Sequence, residues 1–169
     1  VGLNLTRATL DAATKYPWPQ TPDRSKFGVY GDDIASFTWL REGAPDEARC
    51  LESQVMDWAD DIAYSVHDLE DAIHAGHLPL GSLRDPDDRK ALIDLTQERY
   101  AEGFEWNALE AALDRLLDLP CWPSGYDERH RAMADLKETT SELIGRFCRS
   151  AEERTSEVHG SGPLGRYDA

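Results

Sequence analysis

The chain has 169 residues, 40% hydrophobic and 30% charged, with 18 Lys+Arg against 33 Asp+Glu and a formal net charge of −15. A surface of that sign repels a phosphate backbone, which excludes general nucleic-acid binding, and no run of about 18 apolar residues is present to span a bilayer. Cys50, Cys121 and Cys148 are too few and too scattered for a disulfide framework or a Cys-x-x-Cys metal clip; with no visible signal peptide, the expected compartment is a reducing cytoplasm.

Helical periodicity dominates. Asn4 or Thr6 is placed to cap a first helix through Lys15, with Leu5, Ala8, Thr9 and Ala12 as its buried stripe. Tyr16-Pro17-Trp18-Pro19 stops it, because proline drives its predecessor out of helical backbone. From 17 to 45, Pro17, Pro19, Pro22, Gly28, Gly31, Gly43 and Pro45 predict a long irregular segment with at most one helical turn near Asp33 to Trp39. The aromatics Trp18, Phe27, Tyr30, Phe37 and Trp39 predict that this segment is ordered.

The strongest predicted element starts at Pro45-Asp46-Glu47 and reaches Ala75, with Gly76 as a left-handed terminator. Val55, Trp58, Ile62, Val66, Leu69 and Ile73 recur at three- and four-residue steps and predict one apolar face along its whole length. Three helices are predicted to follow, Asp85 to about Ala101, Trp106 to Leu119, and Asp127 to about Glu153. The expectation is an all-α fold, a bundle of about five helices with a long central one, over residues 1–154, with 155–169 a linker or flexible tail. Val1-Gly2-Leu3-Asn4-Leu5 enters an apolar pattern with no initiator Met, and Gly162-Pro163-Leu164-Gly165-Arg166-Tyr167 reads as a connector, so the chain is expected to be a piece of a longer polypeptide.

One stretch of the long helix carries candidate chemistry. Asp60, Tyr64 and Asp68 are spaced i, i+4, i+8 and share a helix side, among further acids Asp57, Asp61 and Asp71. Like charges at this spacing repel, so the stripe is either a solvated acidic face or a site whose counter-charge is a divalent cation or basic side chains from elsewhere. In the second case the row lines a cavity. His67-Asp68 is not a metal-binding doublet here, since adjacent helical positions point about 100° apart. His74 and His77, flanking Gly76, are either a pair able to bind a metal or, the favoured reading, neighbours by chance at a helix end. Lys15 and Lys26, two of only four lysines, sit on either side of the Pro-rich turn beside Tyr16 and Tyr30. They are either surface lysines or, if the loop folds back on the acidic helix, part of a polyphosphate pocket.

Gly2-Leu3-Asn4-Leu5-Thr6-Arg7-Ala8-Thr9-Leu10, Lys15-Tyr16-Pro17, Lys26-Phe27-Gly28-Val29-Tyr30 and the run from Met56 to Asp71 together resemble the deoxyguanosine-triphosphate triphosphohydrolase family of HD-domain proteins, in its bacterial form. The resemblance is ordered over residues 1 to about 75; beyond 76 the chain offers only compatible helices. It implies an α-helical HD-domain enzyme that cleaves a deoxynucleoside triphosphate to deoxynucleoside and inorganic triphosphate. The family uses a divalent metal, Mg²⁺ or Mn²⁺, held by a His, a His-Asp doublet and a distant Asp. By position, Asp60 resembles that last Asp, Tyr64 the tyrosine on the phosphates, and Asp68 the acid at the sugar 3′-hydroxyl. Lys15, Tyr16 and Lys26 resemble the triphosphate contacts.

The His and the His-Asp doublet belong upstream of Gly2. The resemblance therefore implies a central and C-terminal portion with an incomplete metal site, inactive alone, whose parent is a homo-oligomer acting on dGTP or a broader set of dNTPs. Two other readings stay open: a non-catalytic acidic helical interaction module, and an HD-superfamily phosphohydrolase with another nucleotide substrate.

Overall fold

The Thr6 hydroxyl accepts the Thr9 amide, one of the N–H groups a helix leaves unpaired at its start, and so caps α1 (Arg7–Ala12) in the computed structural model, which describes residues 2–167. The helix stops short of Lys15. Its inward face also differs from the expected stripe: Leu5, Ala8 and Thr9 are exposed, whereas the carboxylate residue Asp11 is buried. Apolar spacing pointed to the wrong face because the partners that make burial of Asp11 tolerable come from distant parts of the chain.

The Pro- and Gly-rich segment is ordered, as its aromatics predict. Gly28 N donates to Trp18 O at 3.0 Å, Gln20 N to Val29 O at 3.2 Å, and the Trp18 indole to Lys26 O at 2.8 Å, so residues 16–20 and 26–29 lie side by side. A 3-10 turn, Gly31–Asp33, then leads into α2 (Ile34–Leu40), longer than the single turn predicted.

The long helix is α3 (Leu51–His74). It begins later than Pro45, because Glu47 adopts a left-handed φ of 55° and the Arg41 guanidinium takes the carbonyls of Pro45 and Ala48. Gly76, at φ 72°, ends it as expected. Its predicted apolar face is buried only in part: Ile62, Val66 and Ile73 are inside, while Val55 is 58% and Trp58 48% exposed. In the first turns the covered side is the one bearing Cys50, Ser53 and Asp57, a more polar set packed near the end of α1, with the Ser53 hydroxyl donating to Thr14 O at 3.3 Å.

After the 3-10 turn Ser82–Arg84, Asp85 caps α4 (Pro86–Arg99) by accepting the amides of Asp87 and Asp88. Next comes α5 (Trp106–Leu117), tied to α4 by Arg89–Asp114 at 2.6 Å and by the Trp106 indole donating to Asp94 at 2.9 Å. The last helix, α6, spans His130–His159. It runs past Thr155, and Arg166 and Tyr167 beyond it are hydrogen-bonded to Asp11, so the described part of 155–169 is neither wholly linker nor loose. Six α-helices and no strand are found among the described residues, which is the all-α class predicted.

The chain divides into two compact units, Val1–Ile62 with Arg149–Ala169, and Ala63–Cys148. The second has an apolar interior that includes Val66, Ile73, Leu83, Ile93, Leu117, Leu136 and Leu143. There the mostly buried Glu70 carboxylate of α3 receives Lys137 and the Thr140 hydroxyl of α6. Burial pushes that carboxyl up, but Lys137 and Thr140 outweigh it and hold the group below the usual glutamate range. The first unit buries fewer large apolar side chains, among them Val29 and Ile62, and places Asp11 and Ser53 inside with Cys50. Its order depends correspondingly more on polar contacts.

Candidate functional site

Tyr16 follows the end of α1 and precedes Pro17. The Trp18 amide donates to its carbonyl at 2.8 Å, a three-residue turn that sets the course of the backbone at Tyr16. Three cations surround that ring within cation–π range: Lys15 Nζ at 6.0 Å, Lys26 Nζ at 5.7 Å and the Arg49 guanidinium at 5.9 Å from its centroid. Trp18 packs against the same ring, centroid to centroid 5.7 Å. Lys26 arrives because Gly28 lets residues 26–29 approach residues 16–18. Arg49 arrives from the turn just before α3.

The counter-charges lie one helix away. Lys15 Nζ stands 2.5 Å from Asp57 and 3.7 Å from Asp60, and Arg49 pairs with the other Asp57 oxygen. Asp57 thus clamps two of the three cations, Lys15 and Arg49, on a chain of net −15. Preorganised donors of this kind suit an oxyanion with several acceptor atoms. The hydrogen bond from Lys15, opposed by partial burial and aided by Arg49, holds the Asp57 carboxyl below the ordinary aspartate range. The same hydrogen bond raises the Lys15 ammonium above its usual value.

These shifts set a pH window. A depressed carboxyl contributes stability above its unfolded value of about 3.9 that is lost as pH falls through the folded value; a raised ammonium contributes stability below about 10.4 that is lost at higher pH. Thermal melts should therefore show wild type losing stability faster than Asp57→Asn as pH drops below about 4. Parallel acid profiles for the two proteins would place the Asp57 clamp outside the stability of this unit.

Lys15, Tyr16, Lys26 and Asp60 are thus brought together. Tyr64 and Asp68 follow Asp60 at one-turn steps on α3 but belong to the second unit; Tyr64 is 65% exposed and Asp68 is exposed. With Asp60 also half exposed, the row is open to solvent on this chain, against the expectation that it lines a cavity. Arg49 and the clamping role of Asp57 escaped sequence reasoning. Arg49 precedes the helix, so its pairing with Asp57 follows no helical spacing, and only the unmet charge of the acidic stripe hinted at a basic partner.

For a metal, Asp60 offers one carboxylate. Divalent ions of the Mg²⁺ type take about six oxygen ligands, and among the described residues no group of three or more His, Cys, Asp or Glu side chains is placed to hold one. These residues alone do not fit the ion. His67 lies 3.9 Å from Glu70, and His74 pairs through Nδ1 with the Tyr126 hydroxyl. No helix among the described residues is long and apolar enough to cross a membrane.

Comparison with known proteins is consistent with the resemblance read from the motifs. The chain is 55% identical over its whole length to a deoxyguanosinetriphosphate triphosphohydrolase-like protein of Streptomyces coelicolor, of which it covers 41%. It is 44% identical, over 99% of its length, to one of Bifidobacterium longum, covering 37% of that protein. A third, from Corynebacterium diphtheriae, is 42% identical over 98% of the chain and is covered to 40%. No family profile and no solved structure matches. The chain spans about two fifths of the length of these curated relatives. Over the part of them that it spans, the chain belongs to the family of deoxyguanosinetriphosphate triphosphohydrolase-like proteins.

Proposed function

We propose that this chain is the triphosphate-gripping part of a cytoplasmic hydrolase that cleaves dGTP, or a broader set of dNTPs, to the deoxynucleoside and inorganic triphosphate. The observation that carries the reading is the set of three cations, Lys15, Lys26 and Arg49, gathered around Tyr16 on an otherwise strongly acidic protein. In this reading the cations neutralise the triphosphate and the Tyr16 hydroxyl donates to a phosphate oxygen, while Asp57 keeps Lys15 and Arg49 in place. Charge placed before the substrate arrives costs no reorganisation when charge develops on the phosphates.

Asp60 would give one oxygen to a divalent ion, Mg²⁺ or Mn²⁺, whose other ligands lie outside this chain. Tyr64 would donate to a phosphate and Asp68 accept from the sugar 3′-hydroxyl, as the family resemblance implies. The motif resemblance implies a homo-oligomeric, HD-type parent, and coverage of about two fifths of the relatives fits a portion that is inactive by itself.

The test is the protein at the length of its relatives, incubated with dGTP and Mg²⁺ or Mn²⁺, its products resolved by phosphorus NMR. Inorganic triphosphate and deoxyguanosine are expected. Pyrophosphate with dGMP, or no turnover, would overturn the reading. The exposure of Tyr64 and Asp68 favours one alternative, an acidic interaction surface for a basic partner, and absence of turnover together with capture of a basic peptide by that face would establish it.

A further inference from the structure

Asp11 is 1% exposed, yet three groups converge on its carboxylate: Arg41 at 2.7 Å, Arg166 at 2.6 Å and the Tyr167 hydroxyl at 3.0 Å. A buried charge of this kind persists only when paired and hydrogen-bonded. Arg41 reaches on to the carbonyls of Pro45 and Ala48, at 2.9 and 2.7 Å, and so shapes the turn that delivers Arg49. Arg166 donates to Ala8 O of α1 at 3.3 Å, and its own carbonyl accepts the amide of Leu51, the first residue of α3, at 2.7 Å.

Lys26 apart, the two carriers of the cation cluster and the helix that pairs with them are therefore all referenced to one carboxylate. They are the segment after α1 with Lys15 and Tyr16, the turn with Arg49, and the helix with Asp57 and Asp60. Arg166, 155 residues from Asp11 along the chain, joins the first of these to the third. Tyr167 lies under both guanidiniums, with Arg41 5.8 Å and Arg166 5.5 Å from its ring centroid.

We propose that Arg166, acting through Asp11, is a positioning residue that sets the spacing of Lys15, Arg49 and Asp57 around Tyr16. It touches no substrate. The inference rests on the reading of that cluster as a triphosphate site. Arg166 is about one-third exposed, so its removal opens no apolar cavity. Without it Asp11 keeps Arg41 and the Tyr167 hydroxyl, but the side-chain tie between α1 and the residue that holds the start of α3 is cut.

The experiment compares wild type, Arg166→Ala, Arg166→Lys and a charge control, Arg154→Ala, in the whole chain. Arg154 is an exposed residue of α6 that pairs with its helical neighbour Glu157 at 2.8 Å. Affinity for inorganic tripolyphosphate is measured by calorimetry, with folding checked by circular dichroism, and amide exchange is followed at Trp18 and Gly28. Arg166→Ala is expected to bind roughly tenfold more weakly while folded, the effect of misplacing one charge-assisted hydrogen bond to the anion. Arg166→Lys should be intermediate, Arg154→Ala within about twofold of wild type, and exchange at Trp18 and Gly28 faster only in the Arg166 variants.

A folded Arg166→Ala protein with wild-type affinity and wild-type exchange overturns the proposal. Should Arg166→Ala not fold, Arg166→Lys carries the same comparison. If wild type itself binds no tripolyphosphate, the triphosphate reading fails; faster exchange in the Arg166 variants then still supports positioning of residues 16–28, and unchanged exchange refutes it.

Discussion

Lys15→Met is expected to weaken binding of inorganic tripolyphosphate by about 10- to 100-fold, the range for losing one hydrogen bond to a charged group. Two effects add. One of three cations around Tyr16 disappears, and Asp57 and Asp60, which Lys15 had faced at 2.5 and 3.7 Å, are left to repel the anion. Lys90→Met is the control, because Lys90 sits on α4 paired with Asp94. Calorimetric titration of both variants checks the expectation, and equal affinities would remove Lys15 from the site. Raising the salt concentration should narrow the gap between wild type and Lys15→Met, since the exposed part of this attraction is screened.

Gly28→Ala has the second large expected effect, for a steric reason. A Cβ at this position would stand 2.2 Å from the Tyr16 carbonyl oxygen and 3.0 Å from Thr14 Cγ2. Backbone must move to relieve the first clash, and it is the backbone that hydrogen-bonds Gly28 to Trp18 and Trp18 to Tyr16. Overpacking of this severity costs about 2–3 kcal/mol, a fall in melting temperature of roughly 5–10 °C for a protein of this size. Lys26 should separate from the Tyr16 ring at the same time, lowering tripolyphosphate affinity. Gly31→Ala, where added carbon meets open space, should leave both unchanged. Differential scanning calorimetry on the pair decides the matter, with equal melting temperatures contradicting the close approach.

The helices, and those of their ends that carry a local signal, were legible. Thr6 and Asp85 cap, Gly76 terminates, and the steps from Ile62 to Ile73 mark a covered face. Lys15, Tyr16, Lys26 and Asp60 were legible as members of one cluster through the family motifs, and the structure places them together. What escaped was whatever depends on partners far along the chain. Nothing local marks Asp11 for burial, because Arg41, Arg166 and Tyr167 around it lie far along the chain, and Arg166 reads as part of a loose tail until Asp11 is seen beneath it. Val55 and Trp58 continue the apolar period of α3, yet periodicity says nothing about which neighbour is there to cover it, and in the first unit the covered side is polar. The start of α3 was misplaced for a related reason, since Arg41 captures the carbonyls that a helix from Pro45 would have used.

The most direct measurement follows the six tyrosines of the chain, labelled as 3-fluorotyrosine, by fluorine NMR during titration with inorganic tripolyphosphate, with Tyr16→Phe assigning the Tyr16 signal. Recognition of the anion by the cations around that ring predicts a saturable shift of the Tyr16 resonance, while Tyr100 and Tyr126 stay in place. A Tyr16 signal that does not move, or one that drifts together with all the others, would contradict it.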